Sequence, residues 1–66
     1  MLLTINGQKK EITGVSTLNA VISQSCKDAG RVIAELNGTI IKKPAWDTTP
    51  VNEGDSIELV SFVGGG

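Results

Sequence analysis

The residues best suited to chemistry lie at the C-terminal end, where Ser61-Phe62-Val63 runs into Gly64-Gly65-Gly66. Glycine contributes no packing and loses more conformational freedom on ordering than any other residue, so a run of three weakens any strand that holds it. The run makes sense where a bare backbone must extend from the globule with a carboxylate at its tip. A carboxylate is a poor acyl donor until one oxygen is exchanged for a better leaving group, which adenylation with ATP achieves. A nucleophile in another protein's active site can then attack the acyl carbon. Glycine leaves no Cβ to obstruct a narrow channel on the way there.

Little else in the chain could do chemistry. There is no histidine, so no Ser/His or Cys/His pair forms. Cys26 is the single cysteine, which rules out an internal disulfide and a zinc site of the usual Cys/His kind. It reads as a small buried apolar residue, and a lone thiol fits a reducing compartment. Asp47, Glu53, Asp55 and Glu58 fall near turns and read as solvated acids. No phosphate-binding glycine loop is present, and a chain of 66 residues leaves little room for a small-molecule pocket. The chain itself is therefore not read as an enzyme, and no bound cofactor or metal is expected.

Composition narrows the partners. Six basic and seven acidic side chains give a net charge of −1, against the clustered positive charge of a nucleic-acid binder. The basic pairs Lys9-Lys10 and Lys42-Lys43 read as solvated edges. No stretch reaches the ~20 apolar residues of a membrane span, and MLLTINGQKK is too short and polar for a secretory signal. A cytoplasmic location is expected.

The elements that must position the glycine tail follow from periodicity. In LLTING, Leu3 and Ile5 alternate with polar neighbours, and Asn6-Gly7 is a two-residue hairpin signal. Residues 2–13 thus read as a β-hairpin. VSTLNAVISQSCKDAG reads as a helix capped by Ser16 or Thr17. Its apolar face holds Leu18, Val21, Ile22, Ser25 and Cys26. Lys27 sits at the C-terminal end of the dipole, and Gly30 stops the helix. RVIAEL is a strand, Asn37-Gly38 a second turn, and Thr39-Ile40-Ile41 a short returning strand. The stretch between Pro44 and Pro50 has poor prospects for regular structure, and Trp46 within it plugs one end of the core. NEGD is a turn, and SIELVSFV is the last strand.

One helix must cover one face of such a sheet. The order points to an α+β, β-grasp fold: a mixed sheet of four or five strands, with the last strand parallel beside the first. In the last strand Ile57, Leu59 and Ser61 share the helix side. Val60 and Phe62 share the other side with charged Glu58, so an apolar pair faces outward just before the tail. That pair, with Val63, reads as partner-binding.

The LLTINGQ start, the ELNGTII strand and turn, and the ending GDSIELVSFVGGG resemble the ThiS-type sulfur carriers of thiamin biosynthesis, a ubiquitin-like β-grasp family. The resemblance covers the whole chain. It implies a domain over residues 1–63 with a flexible tail at 64–66. It also implies that Gly66, the second residue of the diglycine Gly65-Gly66, is adenylated by an E1-like ThiF-type enzyme using ATP. A sulfur donor then converts it to a thiocarboxylate, which supplies the thiazole synthase ThiG. Alternatives left open are the small subunit of molybdopterin synthase, a ubiquitin-like protein modifier, and a plain β-grasp binding module. The tail reading predicts low backbone order parameters for Gly64, Gly65 and Gly66 in the isolated monomer. Rigid values through Gly66 would contradict it.

Overall fold

In the structure, a computed structural model, residues 1–26 and 28–62 are described. Five strands and one α-helix form in the order β1 (Leu2–Ile5), β2 (Gln8–Glu11), α1 (Leu18–Ser25), β3 (Val32–Leu36), β4 (Thr39–Ile41) and β5 (Ser56–Ser61). The sheet order is β2-β1-β5-β3-β4. β5 runs parallel to β1 and antiparallel to β3, so the last strand occupies the centre of the sheet. This is the expected mixed β-grasp arrangement.

Both strand reversals form where Asn-Gly pairs predict them. Asn6 and Gly7 have φ of 51° and 82°, and Asn37 and Gly38 have 51° and 87°. Positive φ at both central positions gives a turn whose twist matches the flanking strands. The parallel pairing is carried by Thr4 N–H to Asp55 O and Asn6 N–H to Ile57 O, both 2.9 Å.

The core lies between α1 and the sheet. Leu18, Val21 and Ile22 of the helix and Leu3, Ile5, Ala34 and Ile57 of the sheet are all buried. Each fully buried aliphatic side chain contributes about 1.5–3 kcal/mol. Thr17 caps the helix, its Oγ1 accepting from Ala20 N–H at 3.2 Å.

The helix stops earlier than its stripe suggests. Cys26 is already extended, and its N–H reaches Ile22 O at 2.8 Å. Asp28 then accepts from Gly30 N–H at 3.2 Å and caps a short 3₁₀ turn, Ala29–Arg31. An aspartate that binds nearby backbone N–H groups offers the chain an alternative to helix, which is why Gly30 does not serve as the helix stop. Ser25 is consequently exposed and Cys26 only half-buried, not buried. The expected position of Lys27 lies outside the described residues.

The stretch after β4 is also more regular than expected. Residues Lys43–Thr48 form a 3₁₀ helix with Pro44 in its first turn, where the missing N–H costs nothing. This places Trp46 in the core at 2% exposure, with its Nε1–H donating to Ile41 O at 2.8 Å. Trp46 is the plug that the sequence suggested. The following chain is pinned to the helix start by Leu18 N–H to Thr49 O at 2.8 Å and Val51 N–H to Ser16 O at 3.1 Å.

Ile57 lies at 0% exposure on the central strand. Ile57→Ala should therefore cost about 2–5 kcal/mol, much of the stability of so small a domain. Urea denaturation followed by circular dichroism reads the loss as a lowered midpoint at unchanged slope.

Candidate functional site

The site is built from the end of β5. Hydrogen bonds hold this strand on both flanks, up to Leu59 on the β1 side and up to Ser61 on the β3 side. On one side Val32 pairs with Ser61 and Ile33 with Val60. On the other, the Asn6 side chain accepts from Leu59 N–H at 2.8 Å. The strand ends at Ser61, yet Phe62 N–H still donates to Arg31 O at 2.9 Å. Phe62 is therefore held by the chain that leads into β3, and the first hairpin holds the strand up to Leu59.

Alternation along β5 separates two surfaces. Ile57 faces the helix, and Leu59 is partly buried against the same core. Val60 and Phe62 remain 54% and 43% exposed, on the open side with Glu58, as the sequence pattern indicates. Val63, Gly64, Gly65 and Gly66 lie outside the described residues, as does the boundary expected between domain and tail.

The pairing adds residues that strand-by-strand reading missed. Ile33 stands directly opposite Val60 and is 44% exposed, while Glu35 stands opposite Glu58 on one side and Ile40 on the other. The signal was present in RVIAEL, where Ile33 and Glu35 alternate with core residues. Joining them to Val60 and Glu58 required the β3–β5 register.

On the helix side there is a recess of about 420 Å³, lined by Asn6, Lys10, Cys26, Leu59 and Ser61 among others. Chain length alone argued against a space of this size. It exists because an eight-residue helix spans only about 12 Å and leaves the end of the sheet uncovered. Among the described residues no group of three or more Cys, Asp or Glu side chains is placed to hold a metal ion. No helix among them is long and apolar enough to cross a membrane.

The model of the ThiS family matches residues 3–66, from the first strand through the glycine ending. The chain belongs to the ThiS family. That family is the one of ThiS-type sulfur carriers in thiamin biosynthesis, so the resemblance read from the glycine ending holds. The crystal structure of a thiamine biosynthesis protein (ThiS) from Geobacter metallireducens superposes with a TM-score of 0.84 at 35% identity, covering the whole of both chains. A solution structure of a thiamine biosynthesis protein from the same organism gives 0.80 at 33% identity, covering all of this chain and 88% of that one. Both confirm the ubiquitin-like β-grasp fold. A thiazole synthase from Paramagnetospirillum magneticum is 35% identical over 66 residues, and this chain spans only 20% of that protein's length. An uncharacterized protein, ycf40, from Trieres chinensis is 31% identical over 94% of this chain and 85% of its own length.

The exposure of Phe62 has a direct consequence for stability. Phe62→Ala should change unfolding free energy by less than about 1 kcal/mol, since surface substitutions outside packed sites have small effects. A loss in urea comparable with that of Ile57→Ala would place Phe62 in the core instead.

Proposed function

We propose that this chain is a protein co-substrate that carries sulfur on Gly66 for the thiazole-forming step of thiamin biosynthesis. The observation that carries the reading is the family match running through residue 66, glycine ending included. A relative named thiazole synthase supports the final acceptor, because it holds a segment similar to this whole chain within one much longer polypeptide.

The chemistry runs in three steps. A Gly66 carboxylate oxygen attacks the α-phosphorus of ATP on an E1-like, ThiF-type enzyme, and pyrophosphate leaves. A sulfur nucleophile from the donor then attacks the acyl carbon, and AMP leaves with the oxygen it had bonded. For a persulfide donor the product is an acyl disulfide; a thiol attacks the donor's sulfur, forms a disulfide with it and releases the thiocarboxylate, which thiazole synthase consumes. The chain supplies none of the catalytic groups. Its part is to present the carbonyl carbon beyond side chains that could block a channel, and to dock through Val60, Phe62 and Val63. Four residues beyond Phe62 reach at most about 14 Å fully extended, so the activating enzyme must contact the surface around Phe62.

The protein, ATP, a sulfur donor and a ThiF-type enzyme, incubated together, should yield a product heavier by the difference between sulfur and oxygen. Fragmentation should place the change on Gly66. Deleting Gly66, or adding one alanine after it, should abolish the change while the circular dichroism spectrum persists. Phe62→Ala should weaken binding to the enzyme by about 2 kcal/mol or more. Cys26→Ala should have no comparable effect. Sulfur found on Cys26 as a persulfide, with Gly66 unmodified, would overturn the mechanism.

A further inference from the structure

We propose that Asn6 is a positioning residue for the reaction at Gly66: its side chain holds the last stretch of β5 on the flank that the first hairpin leaves, and with it the base from which the reacting carboxylate is presented. The inference rests on the reading of Gly66 as the activated carboxylate, and it gives a part in that reaction to a turn residue far from it in sequence.

The starting point is a strand that outlasts its neighbour. β1 pairs with β5 only through Thr4–Ser56 and Ile5–Ile57, and the chain then reverses at Asn6-Gly7. β5 runs on through Glu58, Leu59, Val60 and Ser61 beside β3. Asn6 extends the support on the β1 flank by one rung. Its N–H donates to Ile57 O at 2.9 Å, as the next residue of a parallel strand would. In a continued ladder its C=O would accept from Leu59 N–H, but a φ of 51° turns the backbone into the hairpin. The side-chain Oδ1 takes the place of that C=O and accepts from Leu59 N–H at 2.8 Å. Among the described residues this is the last bond on that flank.

Asn37 supplies an internal control. It holds the equivalent place in the other turn, also at a φ of 51°, and its side chain stands in for the main chain in the same way. Its N–H donates to Ser56 O at 2.7 Å, and its Oδ1 accepts from Ser56 N–H at 2.9 Å. It makes one bond more than Asn6, from Nδ2 to Asp55 Oδ1 at 3.1 Å. Yet Asn37 braces Ser56, the first residue of β5, at the opposite end from the glycine ending. The two asparagines do the same work for the sheet, whereas only Asn6 acts on the stretch that leads to Gly66. Without Asn6 Oδ1, the backbone from Glu58 onward is bonded on the β3 flank alone. Glycine restricts its own backbone least, so the ending takes its direction from the strand behind it. A misplacement of about 1 Å at a reacting centre can cost about a hundredfold in rate, so a loosened base slows the attack on ATP.

The test compares wild type with Asn6→Gly, Asn6→Asp and Asn37→Gly. Glycine accepts the positive φ of either turn but removes the oxygen, whereas aspartate keeps the oxygen and tolerates the turn. Amide hydrogen exchange at Leu59 and the melting temperature are measured on the carrier alone. The kcat/KM for carrier-dependent pyrophosphate release is measured with a ThiF-type adenylyltransferase and ATP, at high salt to screen the charge that aspartate adds. In Asn6→Gly, exchange at Leu59 should quicken and kcat/KM should fall about tenfold. Asn6→Asp should return both close to wild type. Asn37→Gly loses more side-chain bonds, so it should lower the melting temperature at least as far as Asn6→Gly, yet leave kcat/KM within about twofold of wild type. Equal losses of kcat/KM in the two glycine variants would overturn the inference while leaving the Gly66 mechanism intact. So would an aspartate variant that restores nothing, or Leu59 exchange that Asn6→Gly leaves unchanged. An Asn6→Gly chain that unfolds, or melts well below Asn37→Gly, marks a merely structural role and overturns it too. Failure of the wild type to release pyrophosphate removes the Gly66 reading and this inference with it.

Discussion

Everything in this molecule depends on β5 being held on both flanks. Its pairing with β1 is parallel and with β3 antiparallel, so three segments from the beginning, middle and end of the chain meet along one strand. Ile57 is the packing counterpart of that hydrogen bonding: it is fully buried between the helix and its strand neighbours. This central strand is also the one that leads to the glycine ending. Hydrogen bonding continues past the end of β5 and fixes the backbone of Phe62.

The small core is closed by side chains that satisfy backbone groups as well as by apolar packing. Asn37 takes the positive φ of its turn, donates from its amide nitrogen to Asp55 at 3.1 Å and accepts from Ser56 N–H at 2.9 Å, which ties the β3–β4 turn to the start of β5. Asn6 does the same at the other end by accepting from Leu59 N–H. Glu53 receives Leu2 N–H on both carboxylate oxygens at 3.0 Å. Each contact crosses a large sequence separation. Together they hold β5 in register where a one-residue slip would exchange its buried and open faces.

That exchange would bury Val60 and Phe62 and expose Ile57, because the two faces carry different side chains. One face of β5 completes the core with Ile57 and Leu59. The other presents Val60, Phe62 and their cross-strand neighbours to solvent. The proposed role asks for no catalytic constellation within the chain. It requires a rigid base, a recognisable surface beside the exit point, and a terminal carboxylate free of obstructing side chains. A fold with a central C-terminal strand provides these with few residues.

Much of this was legible in the linear order. The Asn-Gly pairs located both tight turns because only a few residue types accept positive φ. Period-two alternation separated the faces of β3 and β5. The order of strands around a single helix implied the grasp topology, and the GDSIELVSFVGGG ending pointed to the family that the whole-chain match confirms. These are local properties: propensity, periodicity and backbone stereochemistry act within a few residues. What the structure added is partly local competition that periodicity does not rank and partly contact between groups far apart in sequence. Asp28 ended the helix by capping a competing turn, Pro44 began a 3₁₀ helix that delivered Trp46 to the core, and the short helix left a recess beside Cys26. The β3–β5 register set Ile33 against Val60 and Glu35 against Glu58. No window of sequence contains those neighbours, because register is chosen by the summed burial of both strands under the helix. The open face is the residue of that choice.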